Sequence, residues 1–191
     1  MGEMTGISER PLRADAQRNR DLIVVAATRA FTKCGLEATL EGIAKDAGVG
    51  IGTLYRHFPT RELLIEAAYR NELAAVCDAS VELLEQLPPD QALRAWMDRF
   101  IDYMARKRGM ADALRAVFAS GANPYAQSLE LLVGAVQPLL DAGAAAGQIR
   151  SDISASDMLV SIGGVGGAAA DDREQAGRLL DLLMDGLRYR A

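Results

Sequence analysis

Residues 39–61 read Thr-Leu-Glu-Gly-Ile-Ala-Lys-Asp-Ala-Gly-Val-Gly-Ile-Gly-Thr-Leu-Tyr-Arg-His-Phe-Pro-Thr-Arg, and this stretch decides the fold. Leu40, Ile43, Ala44 and Ala47 recur at the spacing of one helix face, with Thr39 placed to cap its start. Gly48 supplies a turn that a side chain would resist, and Val49, Leu54 and Phe58 bury a second helix against the first. Ala44 is small enough to let the two helices approach closely. The outer face of the second helix is left with Ile51, Thr53, Tyr55, Arg56 and His57: several hydrogen-bond donors, one permanent cation and one apolar tip. Such a face suits phosphates and base edges in a major groove.

Upstream, Leu22, Ile23, Val25, Ala26, Ala30 and Phe31 recur at helical spacing from Ala14 and stop at Gly35, which suits the position just after a helix. They predict a bracing helix, so residues 14–60 form a three-helix DNA-binding domain with helix-turn-helix geometry. Residues 1–13 are polar and marked by proline, and read as a mobile tail. Arg10 and Arg13 give that tail an alternative reading as a minor-groove arm.

With its flanking helices, the stretch resembles the DNA-binding domain of the tetracycline-repressor (TetR) family of bacterial transcription regulators. The resemblance is closest in Ile43-Ala44, in Ala47-Gly48-Val49 and in the run Gly52-Thr53-Leu54-Tyr55-Arg56-His57-Phe58. The chain departs from the family pattern at Gly50 and Ile51, where serine and then lysine are frequent. Glycine is an acceptable N-cap, so the helix is kept, although glycine has no side chain to offer a phosphate. The resemblance implies that Ile51, Thr53 and Tyr55 touch base edges or the groove and that Thr39, His57 and Arg61 hold phosphates. Arg56 could do either, and Gly50 opens the helix at the DNA. It also implies a homodimer on a double-stranded operator, a body domain that takes a small-molecule effector, and a four-helix bundle built from the last two helices of each chain.

The net charge of −5 over 191 residues argues against a nucleic-acid partner only until it is divided. Residues 1–61 hold nine Lys/Arg against seven Asp/Glu, whereas residues 62–191 hold twelve against nineteen. Local charge governs phosphate binding, and a mildly basic head on an acidic body is compatible with it. Cys34 and Cys77 lie far apart without metal-ligand spacing, and read as buried or half-buried thiols of a reducing cytoplasm. No signal peptide opens the chain, and Met158–Ala170 falls well short of the roughly 20 apolar residues of a membrane span. A cytoplasmic protein without a membrane partner is expected.

The rest of the chain is also patterned as helix, giving an all-α fold in which residues 61–191 form a larger effector-binding and dimerisation domain. Thr60 caps a long helix that Pro88-Pro89 ends. Further helices are predicted over 89–107, 110–119 and 124–147, the last kinked at Pro138. Residues 154–168 carry four glycines and read either as an irregular loop or as a helix packed along a small-residue face. Asp171 and Glu174 resemble a capping box for the final helix. There Leu179, Leu180, Leu182, Leu183, Met184 and Leu187 cover more than one face, and Leu179, Leu180, Leu183 and Leu187 are candidates for a subunit interface.

Trp96, Phe100, Tyr103, Met104, Met110, Leu114, Phe118, Tyr125 and Leu129 are the large aromatic and polarizable residues of the middle of the chain. They read as core or, taken together, as the wall of an apolar effector cavity. Arg106–Met110 also resembles one branch of the family's body domains. Catalysis is not expected. The single histidine, His57, has no acidic partner at catalytic spacing, and no metal-ligand set, cofactor motif or phosphate loop appears. The expectation is a one-component repressor that a small apolar or amphipathic effector releases from a palindromic operator. The alternative is a constitutive or architectural DNA-binding factor whose aromatic cluster is solid core.

Overall fold

The computed structural model describes residues 9–188, with side chains from Ala14 to Arg188. Its described residues form helices without strands: α1 (Glu9–Cys34), a 3-10 turn (Gly35–Glu37), α2 (Leu40–Asp46), α3 (Ile51–His57), α4 (Arg61–Gln86), α5 (Pro89–Gly109), α6 (Ala111–Ala119), α7 (Ser128–Ala145), α8 (Ala155–Ala168) and α9 (Arg173–Leu187). The first helix starts at Glu9 rather than Ala14, so residues 9–13 belong to α1 and not to a tail. The remainder of the expected tail, and the side chains of Arg10 and Arg13, lie outside the described residues.

Two compact units form, one from the residues up to Tyr69 together with Gly109–Ala122, the other from Arg70–Arg108 together with the residues from Asn123 on. The division falls inside α4 rather than at the expected boundary after residue 60. Gly109 gives a physical reason for the added segment. A Cβ there would lie 2.4 Å from the backbone carbonyl oxygen of Thr32, so the chain after α5 is seated directly on α1 at a position that only glycine allows. Met110 and Leu114 follow it into the same unit, where both are buried.

Within the first unit the predicted helix pair is present. Thr39 caps α2, its Oγ1 accepting a hydrogen bond from the Gly42 N–H at 3.1 Å. Gly48 turns the chain at φ +69°, the left-handed region that disfavours a side chain. Ile23, Ala27, Phe31, Ile43, Ala44, Leu54 and Phe58 then close a core among α1, α2 and α3. Thr60 Oγ1 accepts from the Leu63 N–H at 3.3 Å and caps α4. Buried Thr28 shares its hydroxyl between its own turn at Val24 and the carbonyl of Ala68 in α4.

In the second unit the glycine-rich segment is a helix, and close packing gives a reason. A Cβ on Gly166 would sit 3.1 Å from Ile101 Cδ1, so α8 lies tightly against α5. Ser154 caps its start, and Arg108 of α5 donates to the Gly166 carbonyl at 2.8 Å near its end. An ionic clasp joins α5 to the last helix. Arg94 donates to Asp98 and Asp181 and to the Gly177 carbonyl, while Arg173 reaches Asp98 and Asp102.

Three local expectations are corrected. The chain turns at Asn123, whose side chain accepts from the Tyr125 N–H, so α7 starts at Ser128 and not at 124. Asp172 rather than Asp171 caps α9, accepting from the Gln175 N–H at 2.8 Å. Cys34 is exposed rather than buried, whereas Cys77 is half-buried as expected. None of the described helices is long and apolar enough to cross a membrane.

Candidate nucleic-acid interface

The candidate surface is the outer side of α3. Gly50 stands at its N-cap in extended backbone and offers no side-chain cap, and Thr53 and Leu54 return their N–H groups to the Gly50 carbonyl. Leu54 is fully buried and Phe58, at the C-cap, nearly so, which turns the opposite side of the helix outward. Ile51 is 38% exposed and Tyr55 45%. Arg56 is exposed, and Thr53 and His57 are half-buried at its margins. Large apolar and aromatic side chains held open to solvent on a short rigid helix, beside a cation, are the means of reading a groove. Gly50 and Gly52 have open space around them, so nothing of their own stands between the α3 backbone and a partner.

Seven of the eight candidate DNA-binding residues, from Thr39 to His57, lie on α2's cap, on α3 or on its N-cap. Arg61 differs. Its guanidinium donates to the Leu36 carbonyl at 2.6 Å and lies 5.2 Å from the centre of the Phe31 ring. The structure thus gives Arg61 an internal tie between α4 and the turn after α1, made by one of its five N–H donors. Tertiary proximity across 25 residues of chain decides this, and no local pattern announces it.

The nine candidate effector residues divide between the two units. Met110, Leu114 and Phe118 belong to the first unit, and the other six to the second. There Trp96, Phe100 and Tyr103 are buried along α5; the first two rings stack 5.5 Å apart, and the Trp96 indole N–H donates to the Val76 carbonyl at 2.8 Å. Met104 and Tyr125 are half-buried, and Leu129 is exposed. Lys107 adds a polar neighbour that the sequence did not single out. Its ammonium lies 4.3 Å from the Tyr125 ring centre, and burial lowers its pKa below the ordinary lysine value. A separate open groove of about 570 Å³ is lined by Ile149, Arg150, Asp152 and Arg188. Its Arg150 is held bidentately by Asp152, which keeps the carboxyl below its usual range.

Of the four interface candidates, Leu180 and Leu187 are buried by their own chain, because that side of α9 faces the core of its unit. Leu179 and Leu183 are half-exposed, and Leu182 beside them is 69% exposed. Val160 on α8, which packs with α9, is 74% exposed.

A capped helix, a glycine turn and a second helix with an outward reading face, braced by a third, define a helix-turn-helix DNA-binding regulator. Residues 23–68 match the family described as bacterial regulatory proteins, tetR family, and residues 88–189 match the C-terminal domain of SbtR-like transcriptional regulators. The crystal structure of the TetR transcriptional regulator SCO0520 from Streptomyces coelicolor is 58% identical, covers 90% of this chain and 99% of that one, and superposes with a TM-score of 0.86. That of a TetR transcription regulatory protein from Mycobacterium vanbaalenii is 30% identical over 94% of this chain and 100% of that one, with a TM-score of 0.79. The HTH-type transcriptional repressor KstR from Mycolicibacterium smegmatis is 31% identical over 122 residues, 62% of this chain and 59% of that protein. The match therefore spans about three-fifths of that curated relative. The chain belongs to the TetR family of bacterial transcription regulators and is a DNA-binding transcription regulator.

Proposed function

We propose that the protein is a homodimeric repressor that holds a palindromic operator through α3 and leaves it when a small apolar or amphipathic molecule binds the second unit. The observation that carries the DNA part is the outward face of α3, where Ile51 and Tyr55 stay exposed beside Arg56 although an isolated chain gains nothing by leaving them in water. Ile51 suits a thymine methyl, Thr53 and Tyr55 can donate to base edges or the groove, and Thr39 and His57 suit phosphates. The exposed apolar side chains on α8 and α9 support pairing of two chains through a four-helix bundle.

Footprinting on the intergenic DNA beside the gene tests this reading. A two-fold symmetric footprint with half-site centres about one helical turn, or a multiple, apart is expected. An asymmetric half-site bound by a monomer would refute it. Leu182→Glu should give monomers that keep their helix content, because it sets a charge in the proposed dimer interface.

The effector part rests on the aromatic side chains of α5 and on the half-buried Lys107, Met104 and Tyr125. The stacked, buried Trp96 and Phe100 equally favour a constitutive factor with a solid core. A thermal-shift screen separates the two, since a molecule that binds only the folded state stabilises it by about 2.7 kcal/mol at a hundred times its dissociation constant. With an effector in hand, operator DNA must weaken its binding by the same factor by which it weakens DNA binding, typically about 1–3 kcal/mol. Affinities that ignore each other would leave the constitutive reading standing.

A further inference from the structure

Phe58 closes α3 with its backbone N–H on the Leu54 carbonyl, and its ring is buried. Two cationic or potentially cationic groups flank that ring. The His57 imidazole lies with its centre 6.5 Å away, and the guanidinium carbon of Arg20, from α1, lies over the ring at 5.3 Å from its centre. Arg20 and His57 are thus no more than about 12 Å apart although 37 positions of sequence separate them. Arg20 is exposed, and among the described residues no Asp or Glu forms an ion pair with it.

An arginine held by an aromatic ring differs from one held by a carboxylate. The ring attracts and orients the planar group but leaves its charge uncancelled and its N–H fork free. Binding a phosphate then requires no ion pair to be broken first. Arg61 of the same unit is less free, because one of its N–H groups already donates to the Leu36 carbonyl.

We propose that Arg20 is a phosphate-holding residue of the DNA interface, with the Phe58 ring as the platform that aims its guanidinium at the duplex backbone beside the last turn of α3. The inference rests on the reading of α3 as the groove-reading helix. It adds to that surface a cation from α1, outside the helix-turn-helix stretch. Because a phosphate carries no base information, Arg20 fixes the register of α3 on the duplex and does not choose the sequence.

The test uses the full chain and a mixed-sequence duplex of about 30 base pairs, with binding followed by fluorescence anisotropy between roughly 50 and 200 mM salt. Arg20→Met should lower the slope of log affinity against log salt by about 0.9 for each phosphate that the side chain no longer neutralises, and Arg20→Lys should restore it. Arg61→Met should leave the slope as in the wild type. Since Arg20 is exposed, Arg20→Met should unfold at nearly the wild-type temperature. A wild-type slope in Arg20→Met, with or without a lower unfolding temperature, overturns the proposal and leaves Arg20 a packing residue. Wild-type protein without salt-dependent duplex binding would overturn the DNA reading itself, and the Arg20 assignment with it.

Discussion

The reading head and the body use arginine in opposite ways. In the first 69 residues Arg18, Arg20, Arg29, Lys33, Lys45 and Arg56 stand at the surface without an ion pair among the described residues, and Arg61 is held by a carbonyl and a ring. In the second unit Arg94, Arg99, Arg106, Arg150, Arg173, Arg178 and Arg188 each pair with a carboxylate. A cation already neutralised by its own chain attracts a phosphate weakly, whereas an unpaired one contributes its full charge to the local field. The difference therefore bears on function more directly than the net charge of −5 does. In the body Arg94–Asp181, Arg99–Glu82, Arg106–Glu72 and Arg173–Asp98 fasten one helix to another, whereas the six surface cations named for the first 69 residues form no ion pair among the described residues.

That contrast can be tested from its largest expected effect downward. Trp96→Ala should destabilise the body by about 3–5 kcal/mol, because it uncovers apolar surface, opens a cavity and orphans the Val76 carbonyl. Denaturant unfolding would show it, and a drop below about 1 kcal/mol would mean the site collapses around the gap. Gly109→Ala acts in the other unit. Its Cβ would meet a backbone carbonyl at 2.4 Å, so the segment must shift, at a cost of about 1–3 kcal/mol in the same measurement.

Arg94→Ala removes a part-buried guanidinium that bridges Asp98, Asp181 and the Gly177 carbonyl. A destabilisation of about 1–2 kcal/mol is expected, partly screened by salt, with DNA affinity of the folded protein unchanged. Weakened DNA binding at constant salt slope would show that the clasp also serves the head. The smallest effect is chemical. Burial, assisted by the charge of Asp78, pushes the Cys77 thiol up to about 11, so that only about one molecule in a thousand carries its thiolate at pH 8. Exposed Cys34 should therefore react first with an alkylating reagent, and mass spectrometry after brief labelling would locate the adduct.

Local pattern carried much of the head. The periodicity of Leu40, Ile43 and Ala44, the cap at Thr39 and the turn at Gly48 are all short-range features, and the structure repeats each of them. The face of α3 was equally legible, since burying Leu54 and Phe58 leaves Ile51, Tyr55 and Arg56 outward by helix geometry alone. The glycines of α8 left its structure open because propensity counts against them, whereas the packing that favours a helix there, Gly166 on Ile101, joins residues 65 positions apart.

The sequence by itself determined the helix pair of the head, its cap and turn, and which of its side chains face outward, because each depends on neighbours within a few residues. Tertiary structure alone decided that Arg61 is tied to Leu36, that Arg20 lies over Phe58, that Leu180 and Leu187 turn into their own chain, and that the segment after Gly109 joins the head. Each of those outcomes is a pairing between distant parts of the chain, and the pattern of one segment holds no record of which surface will come to lie against it.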